Sequence, residues 1–453
     1  MLPESFCRYY GTMFGGRRNG MKIGVISLGC AKNLVDTEYL LGILRDSGQE
    51  IVTDRSEAEA VIINTCGFIE SAKTEAIDTI LEAADLKEQG LRKLIVMGCL
   101  SQRYKPQLEA EMPEVDRFIA ISEYHNLGKI LSEVLGVRIV NTYGKSQRIL
   151  SDKPWMAYLK ICDGCDNRCS YCAIPLIRGD MRSMDEDELV REAERLVSGG
   201  VKELNLIAQD SPRYGFDWDR QLHLSHLLKR LDAIEGIHWI RILYLYPDEI
   251  PDDLIDTIRE SRHILPYFDI PVQHGSDRML KLMNRRGSHD TIVERAAKIR
   301  ASFDHATLRT TLITGFPSET EEDHKETMRL LEEVHWDHLG AFTYSREGDT
   351  KSYEMEDDVP EEVKLQRMKE IMTRQAEIVQ ADHQKLIGRT DEVLVEGYEE
   401  LTGMYTGRSA MYAPDGVDGV VRFRSSRSLK QGDFVLVCYT KVSGHNMIGR
   451  EAE

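Results

Sequence analysis

Residues 165–172 read Cys-Asp-Asn-Arg-Cys-Ser-Tyr-Cys, which places Cys165, Cys169 and Cys172 within one short loop. The loop follows an apolar run at 156–161 that predicts a β-strand. Three thiolates at this spacing can each bind one iron of a [4Fe–4S] cube and leave the fourth iron open to a small molecule. Zinc is the alternative, but a structural zinc ion normally takes four protein ligands, and no histidine lies nearby in the sequence.

Strand and helix patterns alternate on both sides of this loop. Six apolar runs predict strands at residues 156–161, 203–208, 239–244, 267–272, 308–314 and 339–344. Helical patterns, such as those at 185–198 and 320–334, separate the runs. Six βα units of this kind predict a partial (βα)6 barrel, in which the chemistry lies at the carboxyl ends of the strands.

Three further apolar runs upstream each end in a cysteine, namely Cys30, Cys66 and Cys99. Helical patterns, for example at 70–84, separate these runs, so the segment predicts a parallel α/β sheet. Because right-handed crossovers align the strands, cysteines 36 and 33 residues apart can converge at one edge of the sheet. We expect a second [4Fe–4S] cluster there; the alternative is three buried cysteines that act as small apolar side chains.

These patterns divide the chain into five segments. Residues 1–20, which include Cys7, lack periodicity and are expected to form a mobile extension, and the polar residues 141–153 are expected to form a linker. The folded domains are predicted at residues 21–140, 154–384 and 385–453. The last of them has short apolar runs between glycine and proline turns, which predicts a small β-barrel.

The composition is that of a globular protein, since 42% of the 453 residues are hydrophobic and 30% are charged. The sequence contains no run of about eighteen apolar residues, so no membrane span is predicted. The absence of a signal segment favours a cytoplasmic protein. Nine cysteines, an odd number in patterned groups, favour metal ligation over disulfides. The formal charge is −18, and residues 385–453 hold nine basic and ten acidic side chains, so neither gives a strong nucleic-acid signal.

The 165–172 spacing, with an aromatic residue before the last cysteine, resembles the radical S-adenosylmethionine superfamily. The two cysteine groups together resemble the methylthiotransferase family of that superfamily, from Met21 to Arg450. The resemblance implies two [4Fe–4S] clusters, S-adenosylmethionine as cofactor and a reducing electron donor. It also implies cofactor-binding residues at the ends of the second, fourth and fifth barrel strands: Gln209, Asp210, Gln273, Thr314 and Gly315.

Three motifs look like those of the family branch that modifies a ribosomal protein, at residues 28–36, 98–104 and 172–179. The first reads Leu-Gly-Cys-Ala-Lys-Asn-Leu-Val-Asp. The terminal barrel resembles a TRAM domain. The resemblance implies transfer of a methylthio group to the β-carbon of an aspartate in small-subunit ribosomal protein uS12. Both clusters would take part, so their open irons must face one cavity.

Several residues outside the cysteine motifs are candidate substrate contacts. Arg178 follows the cysteine loop and could bind a carboxylate as a bidentate fork. Tyr214 could line the substrate pocket, and Arg408 with Ser409 could contact the substrate protein from the terminal barrel.

Two other functions are open at this point. The same chemistry on a transfer-RNA adenosine predicts a basic terminal barrel, which residues 385–453 lack. A non-catalytic iron–sulfur electron carrier or a zinc-binding protein predicts closed sites of four cysteines, whereas the sequence offers groups of three.

Overall fold

The computed structural model describes residues 20–145, 147–151 and 153–452. The predicted mobile extension, including Cys7, therefore lies outside the described residues except for Gly20. The described chain divides into two compact units. The first unit comprises the residues up to Asp166 with Cys172–Arg182, and the second comprises Asn167–Tyr171 with the residues from Ser183 onward.

A five-stranded parallel sheet forms the centre of the first unit, in the order β2-β1-β3-β4-β5. The strands are β1 (Lys22–Ser27), β2 (Glu50–Val52), β3 (Ala60–Thr65), β4 (Lys93–Gly98) and β5 (Arg117–Ala120). The helices are α1 (Ala31–Asp46), α2 (Glu70–Ala84), α3 (Cys99–Glu111) and α4 (Leu127–Leu135). The predicted α/β sheet is confirmed, and β3 is buried on both faces as expected for a central parallel strand. The short strands β2 and β5 were not predicted.

The first unit continues through the region that was predicted to be a linker and ends just beyond the cysteine loop. Its remaining elements are β6 (Met156–Lys160), β7 (Cys162–Asp163) and α5 (Ile174–Arg178), and β8 (Arg182–Ser183) begins at its last residue. Strand β6 packs against α1. The start of the predicted barrel domain is thereby joined to the amino-terminal sheet.

A second series of parallel strands forms the core of the second unit, and neighbours in the chain are neighbours in the sheet. These strands are β9 (Glu203–Ile207), β10 (Trp239–Ile242), β11 (Ile264–Asp269), β12 (Thr307–Thr314) and β13 (His338–Thr343). The helices are α6 (Glu186–Ser198), α7 (Phe216–Asp219), α8 (Leu224–Asp232), α9 (Asp252–Glu260), α10 (Asp277–Leu282), α11 (His289–Ser302), α12 (Glu321–Val334) and α13 (Glu361–Gln384). All six predicted barrel strands exist, the first of them being β6. Of the described helices, none has both the length and the apolar character needed to cross a membrane.

Strand β11 begins and ends three residues earlier than the predicted strand at 267–272. Pro266 lies inside it, where the pairing with β10 shifts register between Ile240 and Ile242. Proline cannot donate to a strand ladder, and an irregular pairing is one of the few places where a strand tolerates it. The strand ends at Asp269, two residues before Pro271. Pro271 lies inside the predicted strand at 267–272, where it cannot donate a ladder hydrogen bond.

The terminal segment is a closed five-stranded barrel, as predicted. Its strands are β14 (Thr390–Glu399), β15 (Met404–Ser409), β16 (Val421–Arg424), β17 (Phe434–Ser443) and β18 (Asn446–Glu451). Strands β15 and β18 were not predicted, and each contains a glycine, Gly407 or Gly449. A Cβ on either glycine would overlap a carbonyl oxygen of the neighbouring strand. The glycines that weaken the strand pattern in the sequence therefore permit close approach of the backbones.

A buried ion-pair network joins the terminal barrel to the parallel strands of the second unit. Arg408 of β15 donates to Glu203 at 2.5 and 3.2 Å. It also donates to Glu396 at 2.9 Å, and Arg241 of β10 donates to Glu203 at 3.3 Å. Arg408 and Ser409 are each only 1% exposed, so the prediction that they contact a substrate protein is wrong. The positive charge of Arg408 is paired with Glu203 and Glu396 inside the fold.

The attachment lies at the amino ends of the parallel strands. Glu203 and His338 are the first residues of β9 and β13. The His338 Nε2 donates to the Met411 carbonyl at 2.7 Å, and the Tyr267 hydroxyl donates to Asp418 at 2.6 Å. The terminal barrel therefore covers the amino ends of the strands. The predicted cofactor residues lie at the opposite, carboxyl ends.

We expect Arg408→Met to destabilise the second unit by about 3–5 kcal/mol, because it leaves buried Glu203 and partly buried Glu396 with too little positive charge. The control is Arg427→Met, since Arg427 is 64% exposed in its pair with Glu451 and the loss of an exposed pair is expected to change the stability much less. Urea unfolding of both variants measures the difference. Equal stabilities would contradict the structural role of Arg408.

His383 of α13 is buried in the same region, with 2% of its surface exposed. Burial, together with nearby His338 and His445, lowers the pKa of His383 from 6.5 to about 4 against the opposing effect of Asp382. The folded protein binds this proton less readily than the unfolded chain, so stability is lost as the pH falls from about 6.5 to about 4. Relative to His383→Leu, the wild type should lose up to about 3 kcal/mol across this window. Urea unfolding at several pH values tests this, and a parallel pH dependence in both proteins would refute it.

Candidate iron–sulfur and cofactor sites

Three cysteines of the first unit lie at the carboxyl ends of neighbouring parallel strands. Cys66 directly follows β3, Cys99 directly follows β4, and Cys30 lies between β1 and α1. Strands β1 and β4 both pair with β3, so the three chain segments leave the sheet side by side. A Cβ on Gly29 would lie 2.8 Å from the Cβ of Cys66 and 3.3 Å from its Sγ. The structure thus brings these cysteines to one edge of the sheet.

Glycines make this close approach possible. Gly29 has φ 93° and Gly98 has φ 102°, a left-handed backbone that other residues rarely adopt. A Cβ on Gly98 would lie 2.6 Å from the carbonyl oxygen of Thr65, and one on Gly67 would lie 2.8 Å from the backbone nitrogen of Leu100. The backbone around the cysteines is therefore packed too tightly for larger residues at these positions.

The three thiols differ in burial. Cys99 is 4% exposed and Cys66 is 9% exposed, whereas Cys30 is accessible. Burial raises the pKa of Cys99 to about 12, against the opposing charge of Arg178, and burial also raises the pKa of Cys66. Both thiols are therefore protonated at neutral pH, and a metal that binds them would have to displace their protons. A donor set made only of sulfur suits an iron–sulfur cluster, so these residues fit the predicted group.

A buried arginine lies directly beside this cysteine group. Arg178 of α5 is 5% exposed, and its Nη2 donates to Asn33 Oδ1 at 2.7 Å and lies 3.9 Å from the Sγ of Cys99. The same nitrogen donates to Asp36 at 3.0 Å, and Nη1 donates to Asp163 at 3.0 Å. The carboxylates that Arg178 contacts in the structure are therefore internal. Its predicted contact with a substrate carboxylate stays a prediction.

The same two aspartates also bind a buried lysine. Lys160 Nζ donates to Asp36 at 2.6 Å and to Asp163 at 3.1 Å, and the Tyr143 hydroxyl donates to Asp36 at 2.6 Å. Burial alone would lower the pKa of Lys160, but Asp163 and Asp36 raise it above its usual range. With Arg178, this network has two cations and two anions and is balanced before any thiolate forms. Sequence reasoning missed it because Asp36 and Lys160 are 124 residues apart.

The second cysteine group divides between the two units, since Cys165 and Cys172 belong to the first and Cys169 to the second. Cys165 is 9% exposed, and its backbone N–H donates to the Gly179 carbonyl at 3.1 Å. Cys169 and Cys172 are half-buried. Arg168 has φ 53°, so the chain turns sharply immediately before Cys169.

All eight cysteines in the described part of the chain are present as thiols. Within residues 20–145, 147–151 and 153–452, no three histidine, cysteine, aspartate or glutamate side chains are placed to hold one metal ion. A cube has a different requirement, because each cysteine binds a separate iron.

Gln209 and Asp210 follow β9 at its carboxyl end. Both polar atoms of the Gln209 side-chain amide are buried and have no hydrogen-bond partner among the described residues. Asp210 accepts a hydrogen bond from Asn167 Nδ2 at 2.7 Å, and burial together with nearby Glu249 raises its pKa well above the usual range. A buried amide without partners destabilises the fold unless a ligand or water completes its hydrogen bonds. Gln209 therefore fits the predicted cofactor role.

The remaining predicted cofactor residues lie at or beyond the carboxyl ends of β11 and β12. Gln273 adopts φ 73°, which bends the chain at the carboxyl end of β11. The Thr314 hydroxyl donates to the Lys364 carbonyl at 3.0 Å, and the Gly315 N–H donates to the Glu319 carboxylate. Thr314 and Gly315 therefore have partners within the fold, and the cofactor roles of all three residues stay predictions.

Tyr214, the other predicted substrate residue, is fully buried in the second unit. Its hydroxyl donates to the Met184 carbonyl at 2.9 Å, and its ring packs edge-on against Trp218. Its hydroxyl is therefore engaged in the fold, and a substrate contact stays a prediction.

Two residues beside Cys169 were missed by sequence reasoning. The Nη1 of Arg285 lies 3.8 Å from the Cys169 Sγ, and the Tyr246 hydroxyl lies 3.9 Å from the same atom. Arg285 belongs to the stretch Asn-Arg-Arg-Gly at 284–287, and no pattern there distinguishes a buried arginine from an exposed one.

Three family profiles match successive parts of the chain. Residues 22–120 match "Uncharacterized protein family UPF0004", residues 159–331 match the radical SAM superfamily, and residues 387–451 match the TRAM domain. The radical SAM methyltransferase TsrM of Kitasatospora setae, solved with tryptophan and a cofactor analogue, aligns with a TM-score of 0.54 and 11% identity over 71% of this chain and 73% of that chain. At this identity the likeness shows the fold alone. The fold and the family profiles together define a radical SAM enzyme with a terminal TRAM domain.

Curated relatives match over nearly the whole chain. The ribosomal protein uS12 methylthiotransferase RimO of Aquifex aeolicus (strain VF5) is 46% identical over 434 residues, which cover 96% of this chain and 98% of the relative. The protein of the same name from Thermoanaerobacter sp. (strain X514) is 43% identical over 435 residues, with coverages of 94% and 99%. The chain belongs to this family of uS12 methylthiotransferases. The predicted family and its protein-modifying branch are confirmed, in preference to the transfer-RNA branch and the non-catalytic alternatives.

We expect the anaerobically reconstituted chain to hold about eight irons, because each cysteine triplet is predicted to bind one cube. Cys66→Ala and Cys169→Ala should each hold about four irons, and only Cys169→Ala should lose cleavage of S-adenosylmethionine. Cys438→Ala, in the terminal barrel, is the control and should keep the full content. Iron analysis and detection of 5′-deoxyadenosine measure these outcomes. A wild-type content near four irons would remove the second cluster.

Proposed function

We propose that this chain inserts a methylthio group at the β-carbon of an aspartate in ribosomal protein uS12. The observation that carries the proposal is the presence of two separate thiol triplets in a chain that matches the uS12 methylthiotransferases over nearly its full length. An electron-transfer protein has no evident use for two triplets that each leave one iron without a protein ligand.

Cys165, Cys169 and Cys172 would hold the cluster that binds S-adenosylmethionine. Cys30, Cys66 and Cys99 would hold the second cluster. When bound, the cluster on Cys165, Cys169 and Cys172 would supply the electron that reduces S-adenosylmethionine, and the amino-terminal cluster would supply an iron open to sulfur. The convergence of Cys30, Cys66 and Cys99 at one sheet edge and the burial of Cys66 and Cys99 support the second assignment.

The protein's own residues would orient the cofactor and exclude water. The side-chain amide of Gln209 is buried and has no hydrogen-bond partner among the described residues. Its neighbour Asp210 accepts a hydrogen bond from Asn167 of the cysteine loop. A cofactor seated there would be held at the carboxyl end of β9, where barrels of this kind place their chemistry. Fixed orientation of the reacting groups contributes about 7–11 kcal/mol in well-aligned systems. Gln273, Thr314 and Gly315, at the carboxyl ends of β11 and β12, would bind the same cofactor.

The proposed setting is a reducing cytoplasm that contains an electron donor and ribosomal protein uS12. A net charge of −18 favours association with a basic protein surface over binding to nucleic acid. Arg178 and Tyr214, the predicted substrate contacts, are both buried and hydrogen-bonded within the fold.

The test is mass spectrometry of purified uS12 after incubation with the reconstituted chain, S-adenosylmethionine, sulfide and a reductant. We expect a gain equal to one methylthio group in place of hydrogen on one aspartate. Cys169→Ala should yield no product, and Cys438→Ala should behave as wild type. Unmodified uS12 together with methylthiolated adenosine in a parallel reaction with transfer RNA would overturn the proposal.

A further inference from the structure

We propose that Arg285 is a positioning residue whose buried positive charge faces the Cys169 sulfur and raises the reduction potential of the cluster on the 165–172 loop. The proposal rests on the proposed function, since it requires that the loop hold a cluster. The geometry that carries it lies within the second unit.

The guanidinium of Arg285 is enclosed by groups that hold it against the cysteine. Its Nη1 lies 3.8 Å from the Cys169 Sγ and donates to the Tyr171 hydroxyl at 3.3 Å. Its Nη2 donates to the Pro271 carbonyl at 2.6 Å, and the guanidinium lies 4.1 Å from the centroid of the Tyr246 ring. Arg285 is 9% exposed, so water contributes little to its solvation.

Arg285 forms no ion pair with a carboxylate among the described residues; its described partners are a carbonyl, a tyrosine hydroxyl, an aromatic ring and a thiol. Arg178 beside Cys99 is different, because Asp36 and Asp163 already balance its charge. A buried charge without a counter-ion is strongly unfavourable. The sulfur of Cys169 is the group within reach of Arg285 that carries negative charge when it binds a metal.

The segment that carries Arg285 also holds the cysteine loop in place. The Ser170 N–H donates to the Met283 carbonyl at 2.9 Å, and the Ser170 hydroxyl donates to the Leu282 carbonyl at 2.9 Å. Asn284 Nδ2 donates to the Arg168 carbonyl at 2.9 Å. Residues 282–285 therefore fix the loop on both sides of Cys169, and the position of the guanidinium relative to the sulfur is built into the fold.

A fixed cation beside a cluster sulfur stabilises the reduced cluster more than the oxidised one, because reduction adds negative charge. Net charge and hydrogen bonds to the sulfur atoms are among the factors that set the potentials of iron–sulfur clusters. Arg285 would therefore make reduction of this cluster easier. The effect acts through Cys169 and requires no contact between Arg285 and the substrate.

The experiment is a redox titration followed by the electron paramagnetic resonance signal of the reduced cluster. It uses the full chain with Cys30→Ala, Cys66→Ala and Cys99→Ala, so that only the loop cluster contributes. At the potential that half-reduces this parent, Arg285→Met should lower the ratio of reduced to oxidised cluster about tenfold, a shift of about 59 mV for one electron. Arg285→Lys should stay within about threefold of the parent. Arg295→Met, which removes an arginine of α11 that pairs with Asp252 of α9, should leave the ratio unchanged.

Each outcome decides a separate point. An unchanged potential in Arg285→Met, or equal shifts in the Met and Lys variants, would overturn the charge effect. Loss of iron from Arg285→Met but not from Arg285→Lys would support it, and loss from both would overturn it in favour of packing. An unchanged potential with loss of the spectral change on adding S-adenosylmethionine would assign Arg285 to the cofactor carboxylate instead. Absence of any cluster in the parent would refute the proposed function rather than this inference alone.

Discussion

The amino-terminal cysteine group depends on one constraint, which is that neighbouring parallel strands end at the same edge of a sheet. Strands β1, β3 and β4 lie side by side, and each is followed closely by a cysteine. Left-handed backbone at Gly29 and Gly98 turns the chain sharply enough to keep the cysteines near the sheet. The same packing buries Cys66 and Cys99 and raises the pKa values of these two thiols, so a metal that binds them would have to displace their protons.

Buried charge is organised in two different ways beside the two cysteine groups. Beside Cys99, the network of Arg178, Lys160, Asp36 and Asp163 is neutral by itself, so it supports the fold without requiring a charged ligand. Beside Cys169, a single guanidinium has no carboxylate partner among the described residues. Isolated buried charge is unfavourable. The first arrangement is therefore complete in the protein alone, whereas the second would be completed by the sulfur of Cys169 when that sulfur binds a metal.

The terminal barrel has a structural function that its family profile does not reveal. It supplies Arg408 to buried Glu203 and supplies the Met411 carbonyl to His338, both at the amino ends of the parallel strands. The barrel therefore supplies hydrogen-bond partners to side chains at the end of the strands opposite to the predicted chemistry. Any contact that it makes with uS12 must use residues other than Arg408 and Ser409, since both are buried.

The sequence by itself determined the features that depend on short-range pattern. Cysteine spacing predicted the triplet at 165–172, and the positions of Cys30, Cys66 and Cys99 at strand ends predicted the other. Alternation of strand and helix identified both parallel series, and helix α2 has the bounds of its predicted pattern at 70–84. Only the tertiary structure decided which charged residues are buried and what they contact. Arg408 and Glu203 are 205 residues apart, and Arg285 and Cys169 are 116 apart. An arginine that pairs at such a distance has no local signature, because its burial is set by the packing of elements that are remote in the chain.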